Sequence, residues 1–189
     1  RMKTKLIIVA ILFTTLSCKA QTVTINQTTY TTDQMQDGMY LKDMDNILDR
    51  FVGTWKWQSG NSSFEVTYTK AEKVQYPDGN YSDMIIGKYK YIENGILKEN
   101  NLIKTYSDLL TPIHASFNQE NHNSLSIFYT DYVNHKSGKG YFKLITGTNP
   151  QQAKWYASGS GGGIRVPNDP PTIPGVTLPT IDEIILVKQ

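Results

Sequence analysis

The sequence predicts a mainly β protein: an antiparallel up-and-down β-barrel preceded by a short α-helix. Three observations carry that reading. From Gly53 toward the C-terminus, apolar side chains recur at every second residue in successive runs, the period of half-buried antiparallel strands. Short turn signals separate the runs, among them YPDGN at 76–80 and Asn94-Gly95. Pro presets φ and Gly accepts positive φ, and Asn-Gly between apolar runs is the strongest short hairpin signal. Ahead of the alternation, Leu41, Met44, Ile47 or Leu48, and Phe51 recur at helical spacing, with Asp43 and Asp45 near the start, which predicts a short amphipathic helix.

Taken in order, residues 1–20 read as a signal peptide. Arg1, Lys3 and Lys5 precede the apolar run LIIVAILFTTL at 6–16, and small residues follow. A spanning helix needs roughly 20 apolar residues, so the run is too short for a stable anchor. Two processing routes compete at Cys18. Ser17 suits a lipobox and lipidation of Cys18, although Thr15 and Leu16 stand in the wrong order; Cys18-Lys19-Ala20 suits signal peptidase cleavage before Gln21. Either route leaves no free thiol, because Cys18 is the only cysteine, as an oxidising compartment favours. The expected location is therefore exported: periplasmic, anchored to the outer membrane, or extracellular.

Residues 21–38 are polar and rich in Thr and Gln, a flexible N-terminal segment or loose edge. Residues 39–189 form a single barrel domain. In its first hairpin Gly53, Trp55 and Trp57 share one face, and Phe64, Val66 and Tyr68 share one face of the return strand. Further strands read at DMIIGKYKYIENG and its return, NLIKTYS, IHASF, SLSIFYTDYV, GYFKLITG, AKWYAS and DEIILVK. Short turns between consecutive strands favour a meander that closes, and closure removes unpaired edges. No fixed-period repeat is present, which excludes a propeller or solenoid. The run 158–180 contains five prolines and is too long for a routine connection. It reads as a crossing over the barrel pinned by apolar pegs such as Ile164, Val166, Ile173, Val176 and Leu178, with a lid as the alternative.

FVGTWKWQ after the predicted helix resembles the Gly-x-Trp opening of the lipocalin and fatty-acid-binding (calycin) barrels. The resemblance implies that Trp55 packs across a closed end, and makes Lys188 on the last strand the candidate cation stacking on it. Over its whole length, through CKAQ, GTWKW, SFEV, DMIIGKYKYIENG and the Pro-rich run into IILVK, the chain is similar to an uncharacterised domain family of exported Bacteroidetes proteins. That resemblance implies a fold and a location and no chemistry.

Composition narrows the function further. Hydrophobic residues at 39% and charged residues at 19% suit a globular domain, and a mean hydropathy of −0.41 argues against an integral membrane protein. Cleavage ahead of Cys18 removes three basic residues, leaving 16 against 17 acidic ones, a formal charge of −1 instead of +2. No basic stripe suits a nucleic acid. The histidines, His114, His122 and His135, come with no Gly-x-Ser-x-Gly and no paired metal-ligand spacing. GSGGG lacks the Lys-Ser/Thr of a phosphate loop. Asp83, Glu93, Asp131 and Glu183 sit near strand ends, where solvated carboxylates are ordinary, although a facing pair would suit glycoside hydrolysis.

The aromatics are the remaining candidates. Trp55, Trp57 and Trp155 as a floor, with Tyr89, Tyr91 and Tyr129 as a wall, would line a ligand site, since binding cavities are mostly apolar with a few polar groups. The competing reading is that a small barrel fills its interior with those same rings. The expectation is thus a non-enzymatic exported barrel of the cell envelope, without metal or cofactor, that binds a small hydrophobic or amphipathic molecule. The alternative is a filled-core module that meets an envelope protein, with a hydrolase behind both.

Overall fold

A computed structural model describes residues 21–26, 37–160, 178, 179 and 183–189. The leader with Cys18 and most of the 158–180 run lie outside the described residues. The strands are β1 (Thr22–Thr24), β2 (Tyr40–Lys42), β3 (Gly53–Ser59), β4 (Ser62–Gln75), β5 (Tyr81–Glu93), β6 (Ile96–Asn100), β7 (Ile113–Phe117), β8 (Ser124–Asp131), β9 (Lys136–Ile145), β10 (Gln152–Ser160) and β11 (Ile184–Lys188). Eight of them, β3, β4, β5 and β7 to β11, pair antiparallel in chain order, and β11 returns to β3 through Lys56↔Val187 and Trp55↔Lys188. The result is a closed antiparallel eight-stranded β-barrel. We call the end at Gly53 the base and the end at the Ser59–Ser62 turn the rim.

The wall has one irregular seam. Along one edge β5 is matched by β4 over its whole length, but along the other it meets three partners in succession. Parallel β2 takes Tyr81 and Ser82, β7 takes Ile85 to Gly87, and β6 takes Lys90 to Glu93. Barrel closure between β5 and β7 therefore rests on the pairs Ile85↔Ala115, Ile86↔His114 and Gly87↔Ile113. β1 lies outside β2 in parallel, so Thr22–Thr24, part of the expected flexible segment, is an edge strand. The β5–β6 hairpin turns at Asn94 (φ 52°) and Gly95 (φ 79°), the two positive φ angles of the tight hairpin turn that Asn-Gly favours.

Two predicted elements differ. The helix expected within 40–51 is replaced by β2, a run of turns and one 3-10 turn, Asp49–Phe51. Asn46 is left-handed at φ 53°, which breaks a right-handed helix. The Asp43 carboxylate accepts the Ile47 and Leu48 N–H groups at 2.8 and 3.0 Å, holding the chain in a wider loop. Leu48 and Phe51 are nevertheless buried in the core as their apolar spacing demands. The strand expected at NLIKTYS is a loop. Asn101 takes over the Tyr89 backbone, its Oδ1 accepting from Tyr89 N at 2.6 Å and its N–H donating to Tyr89 O at 3.0 Å. The chain then turns outward and leaves Ile103 85% exposed.

Candidate functional site

The base is closed by local contacts. The Trp55 indole N–H donates to Phe51 O at 2.9 Å, which ties the 3-10 turn beneath the first strand. Lys188 places its ammonium 5.2 Å from the Trp55 ring centroid and donates to Arg50 O at 3.3 Å. This is the cation–π partner expected from the last strand. The Arg50 guanidinium reaches across to His122 O and Asn123 Oδ1.

Above that floor the lumen is occupied by rings. Phe142 meets Trp55 at 4.8 Å and Tyr68 at 5.1 Å edge-on, and Phe64 meets Trp155 at 5.0 Å and Tyr89 at 5.9 Å. These separations are those of contacting aromatic pairs, and an eight-stranded barrel is narrow enough for side chains to fill. Of the residues expected to form the ligand site, Trp55, Tyr89, Tyr129 and Trp155 are buried in this core and Tyr91 nearly so, while Trp57 packs half-buried against it. Tyr129 spends its hydroxyl on Ser158 O at 3.2 Å, and the Trp155 indole donates to Pro179 O at 3.4 Å. Leu178, one of the proposed pegs of the long connection, is buried in the same cluster.

The other sequence candidates stand apart. His114 bonds Asp108 O at 2.9 Å, the His122 ring lies 5.4 Å from Phe117, and His135 occupies a left-handed turn position. Asp83 and Glu93 sit at opposite ends of β5. Asp131 organises its own turn by accepting from Val133 N, Asn134 N and Asn134 Nδ2. Glu183 pairs with Lys154 at 2.6 Å and accepts the Tyr141 hydroxyl. No group of three or more metal-ligating side chains converges among the described residues.

A cleft of about 320 Å³ opens instead at the seam. Below Ile85↔Ala115 the strands β5 and β7 splay, and β2 captures the freed β5 edge at Leu41↔Ser82. The gap between β2 and β7 is lined by Ile25, Leu41, Tyr76, Tyr81 and Phe117, with Asp78, Asn80, Ser82, Asp83, Ser116 and Gln119 as its polar members. Gln119 Nε2 donates to Ile25 O at 3.2 Å and bridges the gap from the β7–β8 turn to β1. Asp83 fixes the back wall. Its Oδ1 accepts the Tyr40 hydroxyl at 2.6 Å and Lys73 N at 2.9 Å, and its Oδ2 accepts Asp43 N at 2.8 Å. Burial and the Asp83 hydrogen bond push the Tyr40 phenol well above its usual pKa. Burial, with the Asp78 charge, raises Tyr76 as well.

Sequence reading did not reach this site, because it is made by splaying between strands distant in sequence. The one local signal is the pair of tyrosines flanking the Pro-Asp-Gly turn, Tyr76 and Tyr81. Comparison with curated proteins and with solved structures finds no match. A family model covers residues 2–189, nearly the whole chain, and the protein belongs to that family of unknown function, DUF6705.

Proposed function

We propose that the protein is a non-enzymatic, exported or lipid-anchored barrel of the bacterial envelope that binds a small amphipathic molecule in the seam cleft between β2, β5 and β7. The observation that supports the reading is the contrast between a lumen filled with contacting rings and a cleft of mixed apolar and polar lining in the wall. About 320 Å³ is at the lower end of ligand-pocket sizes. Glu93, Asp131 and Glu183 lie outside the cleft lining, and Asp83 spends both oxygens on the Tyr40 hydroxyl and the Lys73 and Asp43 amides, which supports a binding role over catalysis. Native mass spectrometry of the purified mature protein is expected to show one small-molecule adduct, lost in Leu41→Lys, which puts a charge against the apolar wall. Retention of the adduct in that variant would refute the cleft as its seat.

A second reading, docking of an envelope protein at the rim, is favoured by exposed apolar groups there. Tyr106 and Tyr132 stack at 6.2 Å, the Tyr132 hydroxyl donates to Leu110 O at 3.0 Å, and Leu110 and Val133 are more than half exposed. Retention of partner capture from an envelope extract after Leu110→Asp would remove that reading.

A further inference from the structure

We propose that the seam cleft selects cationic or neutral amphiphiles and discriminates against fatty-acid-like anions, an inference that rests on the cleft being the binding site. The charge of the lining is one-sided. Asp78 and Asp83 contribute carboxylates, and no Lys, Arg or His is among the described lining residues. An anionic head group entering there would meet like charge in partly desolvated surroundings, where repulsion is less screened than in water. An ammonium head would meet carboxylates together with aromatic rings, the combination by which proteins recognise alkylammonium groups. Lys73, from the β4 bulge, sets its own ammonium 5.3 Å from the Tyr81 centroid and 5.9 Å from that of Tyr40, which takes one face of Tyr81 and leaves Tyr76 and Phe117 as the rings offered to a ligand cation. The apolar side, Ile25 and Leu41 backed by the core, suits a short alkyl tail. Asp78 is exposed and held in its turn by accepting from Asn80 N and Nδ2 at 3.0 and 3.2 Å. Its charge is therefore presented at the mouth of the cleft without any rearrangement.

The test compares three probes of equal chain length below their micelle concentrations: decyltrimethylammonium, decanol and decanoate. Titration is followed by the amide resonances of Leu41, Ser82 and Phe117. The expected result is that the ammonium probe binds about tenfold or more tighter than decanoate, a difference of about 1.4 kcal/mol, with decanol between them. Ser116 is exposed on the β7 side of the cleft, so Ser116→Lys adds a cation at little structural risk and is expected to reverse the order. Decanoate binding as tightly as the ammonium probe in the unaltered protein, or an order unmoved by Ser116→Lys, would overturn the inference while leaving the cleft as a binding site. Failure of all three probes to shift those resonances would overturn the cleft reading itself, and this inference with it.

Discussion

At Gly87 an added methyl would come within 2.8 Å of the Tyr68 ring and 3.1 Å of Ile113 Cβ, both fully buried. Neither neighbour has room to move in a core of contacting rings, so Gly87→Ala is expected to lose about 1–3 kcal/mol by overpacking, read as a lower urea midpoint at unchanged slope. Gly138→Ala should cost more, because its methyl would run into the Ser158 backbone carbonyl, which the sheet holds in place. Tyr68 allows the opposite test. Its hydroxyl is buried with no hydrogen-bond partner among the described atoms, and burial raises its pKa well above the usual phenol value. An unpaired buried hydroxyl is a liability, so Tyr68→Phe is expected to keep or raise stability, by up to about 1 kcal/mol in the same urea experiment. A loss of more than that would mean the hydroxyl has an acceptor in solution. At this scale the sequence was informative where a residue's partner lies on a predictable neighbour. Trp55 and Lys188 meet because the first and last strands of a closed meander must pair. Gly87 and Gly138 gave no such signal, since only the register across β4, β5, β8, β9 and β10 shows whose ring or carbonyl they admit.

Between elements, Asp83 joins β2, the β4 bulge and β5 through one carboxylate. Lys73, left-handed at φ 51°, interrupts the β4 ladder between Ala71 and Val74, and its N–H finds Asp83 instead of a strand partner. Asp83→Ala would strand three donors, the Lys73 and Asp43 amides and the Tyr40 hydroxyl. Only the Asp43 amide contact is fully buried, the Tyr40 and Lys73 contacts being part-buried; at about 1–3 kcal/mol for a buried donor left without an acceptor and less for the other two, the expected loss is about 2 kcal/mol. Hydrogen exchange should rise first at Lys73 and in Tyr40–Lys42, ahead of the barrel strands. Uniform exchange across all strands would argue against β2 and the bulge being a separately held unit. The neighbouring Asp43 shows why the helix was misread. Its carboxylate binds the Ile47 and Leu48 amides and the Lys70 ammonium at 2.9 Å, so a loop buries the same apolar set that a helix would. Apolar spacing reports which side chains go inside, and here two backbones satisfy it. The barrel strands were legible because each has both an alternating face and a turn at its end. Residues 101–107 have no paired edge, and Asn101 diverts the chain into a turn in which Lys104 N–H donates to Asn101 O at 3.1 Å.

For the whole molecule, alternation determined which face turns inward but carried no information on whether the enclosed space is left open; that depends on the summed volume of rings contributed by eight strands. The cleft was less legible still, because it exists only where β5 exchanges β7 for β2. The same crowding of tyrosines makes a prediction about alkaline stability. Burial pushes Tyr91 and Tyr129 up to about 12, aided by the Glu93 and Asp131 charges, and a hydrogen bond to Glu183, followed by burial, carries Tyr141 to about 12. An unfolded tyrosine ionises near pH 10. These groups therefore hold their protons longer in the folded chain, and their stabilising contribution is complete below pH 10. As pH rises from about 10 toward 12 the unfolded state releases protons that the folded state keeps, and stability falls. Phenolate absorbance from Tyr91 and Tyr129 is expected to rise only together with cooperative loss of the near-ultraviolet dichroism of the packed rings. A smooth ionisation of all twelve tyrosines with that dichroism intact would mean that the interior phenols are hydrated, and that the lumen is an open site and not a filled core.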